Sequence, residues 1–208
     1  LFTISRFEAK SFAQTGLLSL LTALLCSTPA QALVNVWKID DKTSSITFSV
    51  KHLGISSVSG KFLKFSGTVN YDGKDLAASS VEANISSNSI DTKNKSRDEH
   101  LKNKDVLAIE LFPAMTYVSK KVVPKRDGSF DIIGVLNLHG VEKEVTLAAS
   151  PLKAPSKDGK MLKTETVATA LVNRKDFDVY VDKAIDKGGA LVGDQVKVTL
   201  NINLVKTE

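Results

Sequence analysis

Val196-Lys197-Val198-Thr199-Leu200-Asn201-Ile202-Asn203-Leu204 alternates apolar and polar residues without exception. Successive side chains of an extended chain point to opposite faces. This period of two therefore puts the valines, leucines and isoleucine on one buried face and the lysine, threonine and asparagines in water. It predicts a strand of an antiparallel sheet that covers a core on one side.

The same pattern recurs upstream. Ile46, Phe48 and Val50 alternate with polar neighbours, as do Phe65, Gly67, Val69 and Tyr71, then Val81, Ala83 and Ile85, then Val145, Leu147 and Ala149. Asp72-Gly73, Asp127-Gly128, His139-Gly140 and Asp158-Gly159 fall between runs, where hairpins need residues tolerant of positive φ. The chain divides into eight runs at about 44–52, 60–71, 79–90, 113–123, 129–139, 142–152, 162–173 and 193–206, with a short additional strand at Val36–Ile39. One segment breaks the meander. Ser96-Arg97-Asp98-Glu99 has the form of a capping box, and Asp98 and Lys102 are spaced to pair, so a short helix is expected over 96–104, between the third and fourth strands. A weaker helical turn starts near Arg174.

Eight long strands either close into a barrel or stack as a sandwich. A closed eight-stranded barrel has an interior just wide enough to be filled by side chains or to hold one small ligand. Several runs approach twelve residues, or about 40 Å at ~3.3 Å per residue, which is long for such a sheet. Gly67, Ala83, Gly134 and Ala149 on the inward faces either leave room for a guest or permit twist and bends, and the pattern alone does not choose.

The first 32 residues stand apart. Arg6 and Lys10 precede an apolar run from Leu17 to Cys26, followed by Pro29 and Ala30-Gln31-Ala32. This order of basic, apolar and small-x-small segments is that of a secretory signal peptide cleaved after Ala32. The run is too short for the ~20 residues of a membrane span. A lipoprotein signal at Cys26 would want a small residue where Leu25 stands. The expected domains are thus a signal peptide, 1–32, and a β-barrel, 33–208. The expected location is the periplasm, with the extracellular space as the alternative. Cys26 is the sole cysteine, so the processed chain would lack disulfides and thiol chemistry.

Composition excludes other classes. A hydrophobic fraction of 42% and a charged fraction of 25% are ordinary for one globular domain. The net charge of +5 is spread along the chain, and three Tyr and one Trp supply no aromatic-interleaved basic stripe for nucleic acid. His52, His100 and His139 lie in no zinc-binding spacing, and strand-end or capping hydrogen bonds are their expected use. No nucleophile elbow or phosphate-binding glycine loop is present, and Asp40-Asp41 and Asp182/Asp186 lack calcium-loop spacing. The expectation is a binder without catalytic residues, metal or cofactor, and not an enzyme.

The order of motifs resembles the YceI-like family of bacterial periplasmic proteins. It runs through Trp37-Lys38-Ile39-Asp40, Ser45-Ile46-Thr47-Phe48-Ser49-Val50-Lys51-His52-Leu53-Gly54, Gly60-Lys61-Phe62 and Phe65-Ser66-Gly67. Ser89-Ile90-Asp91-Thr92, Arg97-Asp98-Glu99-His100-Leu101 and Phe112-Pro113-Ala114-Met115 follow. The hairpin from Gly134 to Leu147, then Asn173-Arg174-Lys175-Asp176-Phe177 and Gly193-Asp194-Gln195-Val196, complete a match over about 36–205. Thr43-Ser44 stands where many members have His-Ser, and Asp178 follows Phe177 where glycine is common. The resemblance implies an extended lipocalin-like barrel whose apolar tunnel holds a polyisoprenoid chain, with a quinone-type or other amphiphilic head group near the mouth.

Strand parity nominates Phe48, Val50, Phe62, Phe65, Val69, Ala83, Ile85, Met115, Tyr117, Leu136, Leu138, Leu147, Leu171 and Val198 as the ligand-binding lining. Tyr117 offers a hydroxyl to a head group or is a ring buried beside the core. A one-residue slip would turn a whole strand inside out. The partner is then a lipophilic small molecule, with no nucleic acid, no stable membrane span and a homodimer left open. The alternative is a ligand-free envelope-stress or interaction module with a filled β core. A lipid-modifying enzyme would instead need titratable groups inside the tunnel.

Overall fold

The computed structural model describes residues 35–52, 56–181 and 192–207. The predicted signal peptide, Leu53-Gly54 and the Asp182/Asp186 pair lie outside the described residues.

The described residues form twelve strands: β1 (Val36–Ile39), β2 (Ser45–His52), β3 (Ser56–Phe62), β4 (Phe65–Asn70), β5 (Ser80–Ser86), β6 (Ile90–Asp91), β7 (Ala114–Pro124), β8 (Phe130–Leu138), β9 (Val141–Ala149), β10 (Ser156–Asp158), β11 (Met161–Asn173) and β12 (Val192–Thr207). They reduce to eight staves. β12, the 16-residue strand on which the alternation is clearest, takes β2 along its first part, with Val198 opposite Phe48. It takes β1 at its end, with Leu204 opposite Ile39. β1 and β2 are therefore one stave with a break, β3 and β4 a second, and β5 and β6 a third, interrupted by a 3-10 turn at Ser87–Ser89. β7, β8 and β9 follow as antiparallel neighbours, and β11 closes the ring against β12 from Met161–Thr207 to Asn173–Gln195. β10 is a short addition on the outer edge of β11. The molecule is thus a closed eight-strand antiparallel barrel and not a sandwich, the two arrangements that alternation alone leaves open.

The breaks have local causes. Between β1 and β2 the Asp40 carboxylate accepts from the Thr43 hydroxyl at 2.6 Å and from the Lys42 amide at 3.2 Å, closing a turn. Asn203 of β12 then stitches that turn down, its amide reaching the Thr43 carbonyl at 2.8 Å and its backbone N–H the Ser44 hydroxyl at 2.9 Å. The Thr43-Ser44 departure from the family pattern thus falls in a turn bound to β12. His139 and Gly140 both have positive φ, 55° and 75°, the geometry of a two-residue hairpin between β8 and β9.

The helix, α1 (Lys95–Lys102), lies where expected but is capped differently. Asn94, in extended conformation, accepts the Arg97 amide at 3.0 Å, so Ser96 is not the cap. Asp98 does not reach Lys102 either. Its carboxylate accepts from the Thr92 amide and hydroxyl at 2.9 and 2.5 Å, and Lys102 pairs with Glu99 at 3.1 Å. The weaker turn near Arg174 is a 3-10 segment, Arg174–Phe177, ended by Asp178 in the left-handed region.

Candidate binding cavity

Inward residues of the staves enclose a cavity of about 310 Å³. Its wall runs along β12 from Val196 to Leu204, about 26 Å at ~3.3 Å per residue, so the space is long rather than round. Phe48 and Val50 of β2, Ala168, Ala170 and Val172 of β11, and Leu136 and Leu138 of β8 form much of the wall. At the end nearer α1, Leu101, Val106 and Leu107 close over it together with Val179 and Val181. At the other end stand Tyr71, Leu76 and Ser79. The core is therefore not filled.

All of the predicted lining residues border this cavity except Phe65 and Leu171. Phe65 packs instead against the cluster of Ile46, Ile85 and Met115. Leu171 lies on the outer face of β11, not the inner one. It is 69% exposed, while Ala168, Ala170 and Val172 are buried. On β11 the small residues face in and the one leucine of that stretch faces out, so choosing the largest apolar residue shifts the register by one. Residues 101–107 and 179–181 were missed because they belong to no alternating strand. Leu200, Ile202 and Leu204 also line the cavity, and the same alternation that gave Val198 contains them.

The inward glycines do not supply the empty space. A methyl at Gly134 would meet the Tyr117 ring at 2.7 Å, and one at Gly67 would meet Ile39 Cδ1 at 2.6 Å. Those gaps are occupied by neighbours. Ala83 borders the cavity, whereas Ala149 is buried in the cluster around Phe130 and Ile132.

Polar groups on the wall are few and mostly committed. The Tyr117 hydroxyl donates to the Ile132 carbonyl at 2.9 Å and lies 3.1 Å from that of Val145. Burial, with the Glu144 charge as a lesser cause, holds its ionisation well above the ordinary tyrosine range. Tyr117 is thus a buried ring with a satisfied hydroxyl. Thr166 donates to the Ser150 carbonyl at 2.8 Å, and Ser79 to that of Asp75 at 3.3 Å.

Arg174, 4% exposed, directs its guanidinium to the Val179, Gly193 and Val192 carbonyls at 3.0–3.2 Å and to Asp194 at 3.1 Å. It clamps the 174–179 turn onto β12 rather than facing a guest. The Tyr71 hydroxyl differs: among the described residues it has no hydrogen-bond partner. Burial and the nearby Asp72 and Asp75 raise its ionisation.

The histidines do not converge. His100 Nε2 lies 2.9 Å from the Val181 carbonyl, and His139 Nδ1 lies 3.3 Å from that of Phe177, its ring edge-on to Phe112. Among the described residues no three His, Cys, Asp or Glu side chains could hold a metal ion, and no helix is long and apolar enough to cross a membrane.

Comparison with known proteins agrees with this architecture. Residues 37–204 match the profile of the YceI-like domain. A UPF0312 protein of Vibrio vulnificus is 35% identical over 174 residues, covering 83% of this chain and 89% of the relative. One from Shewanella denitrificans is 36% identical over 167 residues, covering 80% and 87%. Among solved structures, Burkholderia cenocepacia BcnA superposes with a TM-score of 0.67 at 24% identity, covering 81% of this chain and 99% of that one. A polyisoprenoid binding domain from Saccharophagus degradans, implicated in plant cell wall breakdown, superposes with a TM-score of 0.62 at 14% identity, covering 84% and 99%. The profile match spans nearly the whole barrel, and the chain belongs to the YceI-like family.

Proposed function

We propose that this chain is a binding protein, not an enzyme, that carries a polyisoprenoid or isoprenoid-quinone-type lipid in its barrel for transport, storage or scavenging in the periplasm. The observation that carries this reading is the long apolar cavity whose polar wall groups are almost all engaged within the protein. A bound molecule must leave its hydrogen-bonding groups outside the wall, because an unpaired buried polar group costs free energy. Apolar area removed from water then supplies the affinity, about 25 cal/mol per Å² before ordering costs.

A fatty acid suits the site less well. Its carboxylate would need a cation, and Arg174 is committed to carbonyls and Asp194. Neutral prenyl head groups carry no such demand, and Tyr71 offers them a hydroxyl at one end. The polyisoprenoid binding domain of Saccharophagus degradans, with the same fold, supports this ligand class. The signal-like order of residues 1–32 supports export.

Mass spectrometry of the organic extract of natively purified protein tests the reading. A stoichiometric prenyl lipid is the expected result. Protein that is folded and empty, and that also rejects added quinones and prenyl alcohols, would overturn it in favour of a ligand-free interaction module.

A further inference from the structure

Charge is unevenly distributed over the outside of the barrel. On β7 to β9 and on the β10–β11 hairpin, acids stand among the lysines, and three of those lysines are ion-paired: Lys120 with Glu144 at 3.0 Å, Lys125 with Asp131 at 2.6 Å and Lys163 with Asp158 at 2.5 Å. The face made by β11, β12, β2 and β3 is built differently. Its register sets Leu171 beside Lys197, Lys197 beside Ser49 and Ser49 beside Ser59. The next row runs Thr169, Thr199, Thr47, Lys61, and Lys51 lies opposite Ser57.

No carboxylate interrupts these rows across the four strands. Asp91, beyond Lys61, is held by Lys93 at 3.1 Å, and Asp194, at the start of β12, by Arg174 and Lys175 at 3.1 and 3.0 Å. Among the described residues, Lys51 and Lys197 have no ion-pair partner. On the same side Leu171 is 69% and Val167 40% exposed.

The face also adjoins a short junction of the ring, extended past the end of β9 by hydrogen bonds from the Ser150 N–H to the Val167 carbonyl at 2.8 Å and from the Lys153 N–H to the Glu165 carbonyl at 3.0 Å. β9 pairs with β11 only at Ala149–Ala168 and Ala148–Thr169. Beyond that point Leu171 points outward, while Ala170 and Val172 on either side of it line the cavity. Exposed apolar surface, unneutralised lysines and hydroxyls without carboxylates form the complement of an anionic head-group layer.

We propose that this face docks on an anionic lipid bilayer, with Leu171 entering the interface and Lys51 and Lys197 engaging lipid phosphates. Docking there sets the short β9–β11 junction against the source of a lipophilic cargo. It rests on the carrier reading only for that cargo.

The test is co-sedimentation of the purified protein with phosphatidylglycerol/phosphatidylcholine vesicles and with pure phosphatidylcholine vesicles. Binding to the anionic vesicles that falls as salt is raised is expected, because surface charges are screened. K51E/K197E and L171E are each expected to weaken it roughly tenfold or more. The charge-matched variant K74E/K160E, altered in exposed turns elsewhere, is expected to keep it. Circular dichroism checks folding, and L171S serves where L171E does not fold.

Equal loss in K51E/K197E and K74E/K160E would overturn the proposal, since net charge alone would then explain binding. Protein that loads a prenyl lipid from detergent yet ignores anionic vesicles would overturn docking and leave the carrier reading intact. Protein that docks as described but never loads a prenyl lipid would support the docking face and overturn the carrier reading.

Discussion

A methyl group at Gly134 would sit 2.7 Å from Cζ of Tyr117 and 2.5 Å from the Val118 carbonyl, so the Tyr117 ring lies where any other residue would place its side chain. This fit brings the Tyr117 hydroxyl to the Ile132 and Val145 carbonyls. Gly134→Ala is expected to lower unfolding free energy by about 1–3 kcal/mol, the usual cost of overpacking. Tyr117→Phe removes a hydrogen bond and should cost about 0.5–1.5 kcal/mol while leaving lipid binding unchanged. Urea unfolding and prenyl-lipid titration measure both. Reduced lipid affinity in Tyr117→Phe would mean that the hydroxyl reaches the guest.

Ala83 borders the cavity with only a methyl group. Ala83→Phe projects a ring into that space and is expected to abolish retention of a prenyl lipid through purification. Leu171→Ser alters the outer face, should change stability by no more than about 0.5 kcal/mol, and should leave loading from detergent intact. Unchanged retention in Ala83→Phe would show that the lipid occupies some other surface.

Tyr71 presents the one wall hydroxyl without a partner among the described residues. If a head group rests there, Tyr71→Phe should weaken binding of prenyl alcohols and quinones by about 0.5–1.5 kcal/mol, the net value of one hydrogen bond. It should leave binding of a plain isoprenoid hydrocarbon such as squalene unaltered. Isothermal titration with the paired ligands separates the two, and an equal change for both would assign Tyr71 a packing role only.

Alternation made the eight staves legible because a period of two is imposed by every strand with one wet face. It also placed twelve of the fourteen nominated lining residues on the cavity wall, since inward parity and cavity-facing parity coincide in a closed barrel. It failed where size and parity disagreed. On β11, Ala168 and Ala170 are inward and Leu171 outward, against the ordinary preference for burying the larger residue. The closing segments around Val106 and Val179 escaped because irregular backbone carries no period, and Tyr71 was read as a strand residue, not as the end of a cavity. That the interior is open was legible only through the family resemblance, not in the alternation or the residue sizes. The gaps at Gly67 and Gly134 are filled by Ile39 and Tyr117, so small inward residues did not mark the empty volume.

The helix start provides a direct contest between two caps. Asn94 accepts the Arg97 amide, whereas the Ser96 and Glu99 pair of the expected capping box is not used. Asn94→Ala is expected to cost about 1 kcal/mol, and Ser96→Ala much less. Asp98→Ala should be more damaging than either, because it strips the Thr92 amide and hydroxyl of their acceptor. Thermal unfolding of the three variants ranks them, and a larger loss for Ser96→Ala than for Asn94→Ala would restore the capping box.

Asp40 couples the first stave to pH. The Thr43 hydroxyl, with a smaller contribution from the Lys42 amide, holds its carboxyl below the ordinary value of 3.8. A depressed carboxyl favours the folded state when ionised. Its contribution is therefore present above the unfolded pKa and is lost as pH falls through the lower folded one. Removing the hydroxyl in Thr43→Val should raise the Asp40 pKa toward 3.8 and reduce the loss of stability on acidification below about pH 4, while lowering stability at neutral pH. NMR titration of the Asp40 carboxyl, with urea unfolding at pH 3 and pH 7, gives both quantities. If Thr43→Val and the parent chain lose the same stability between those two pH values, the turn hydrogen bond does not contribute to acid sensitivity, and the other depressed carboxyls, Asp72, Asp91, Asp127 and Asp158, account for it.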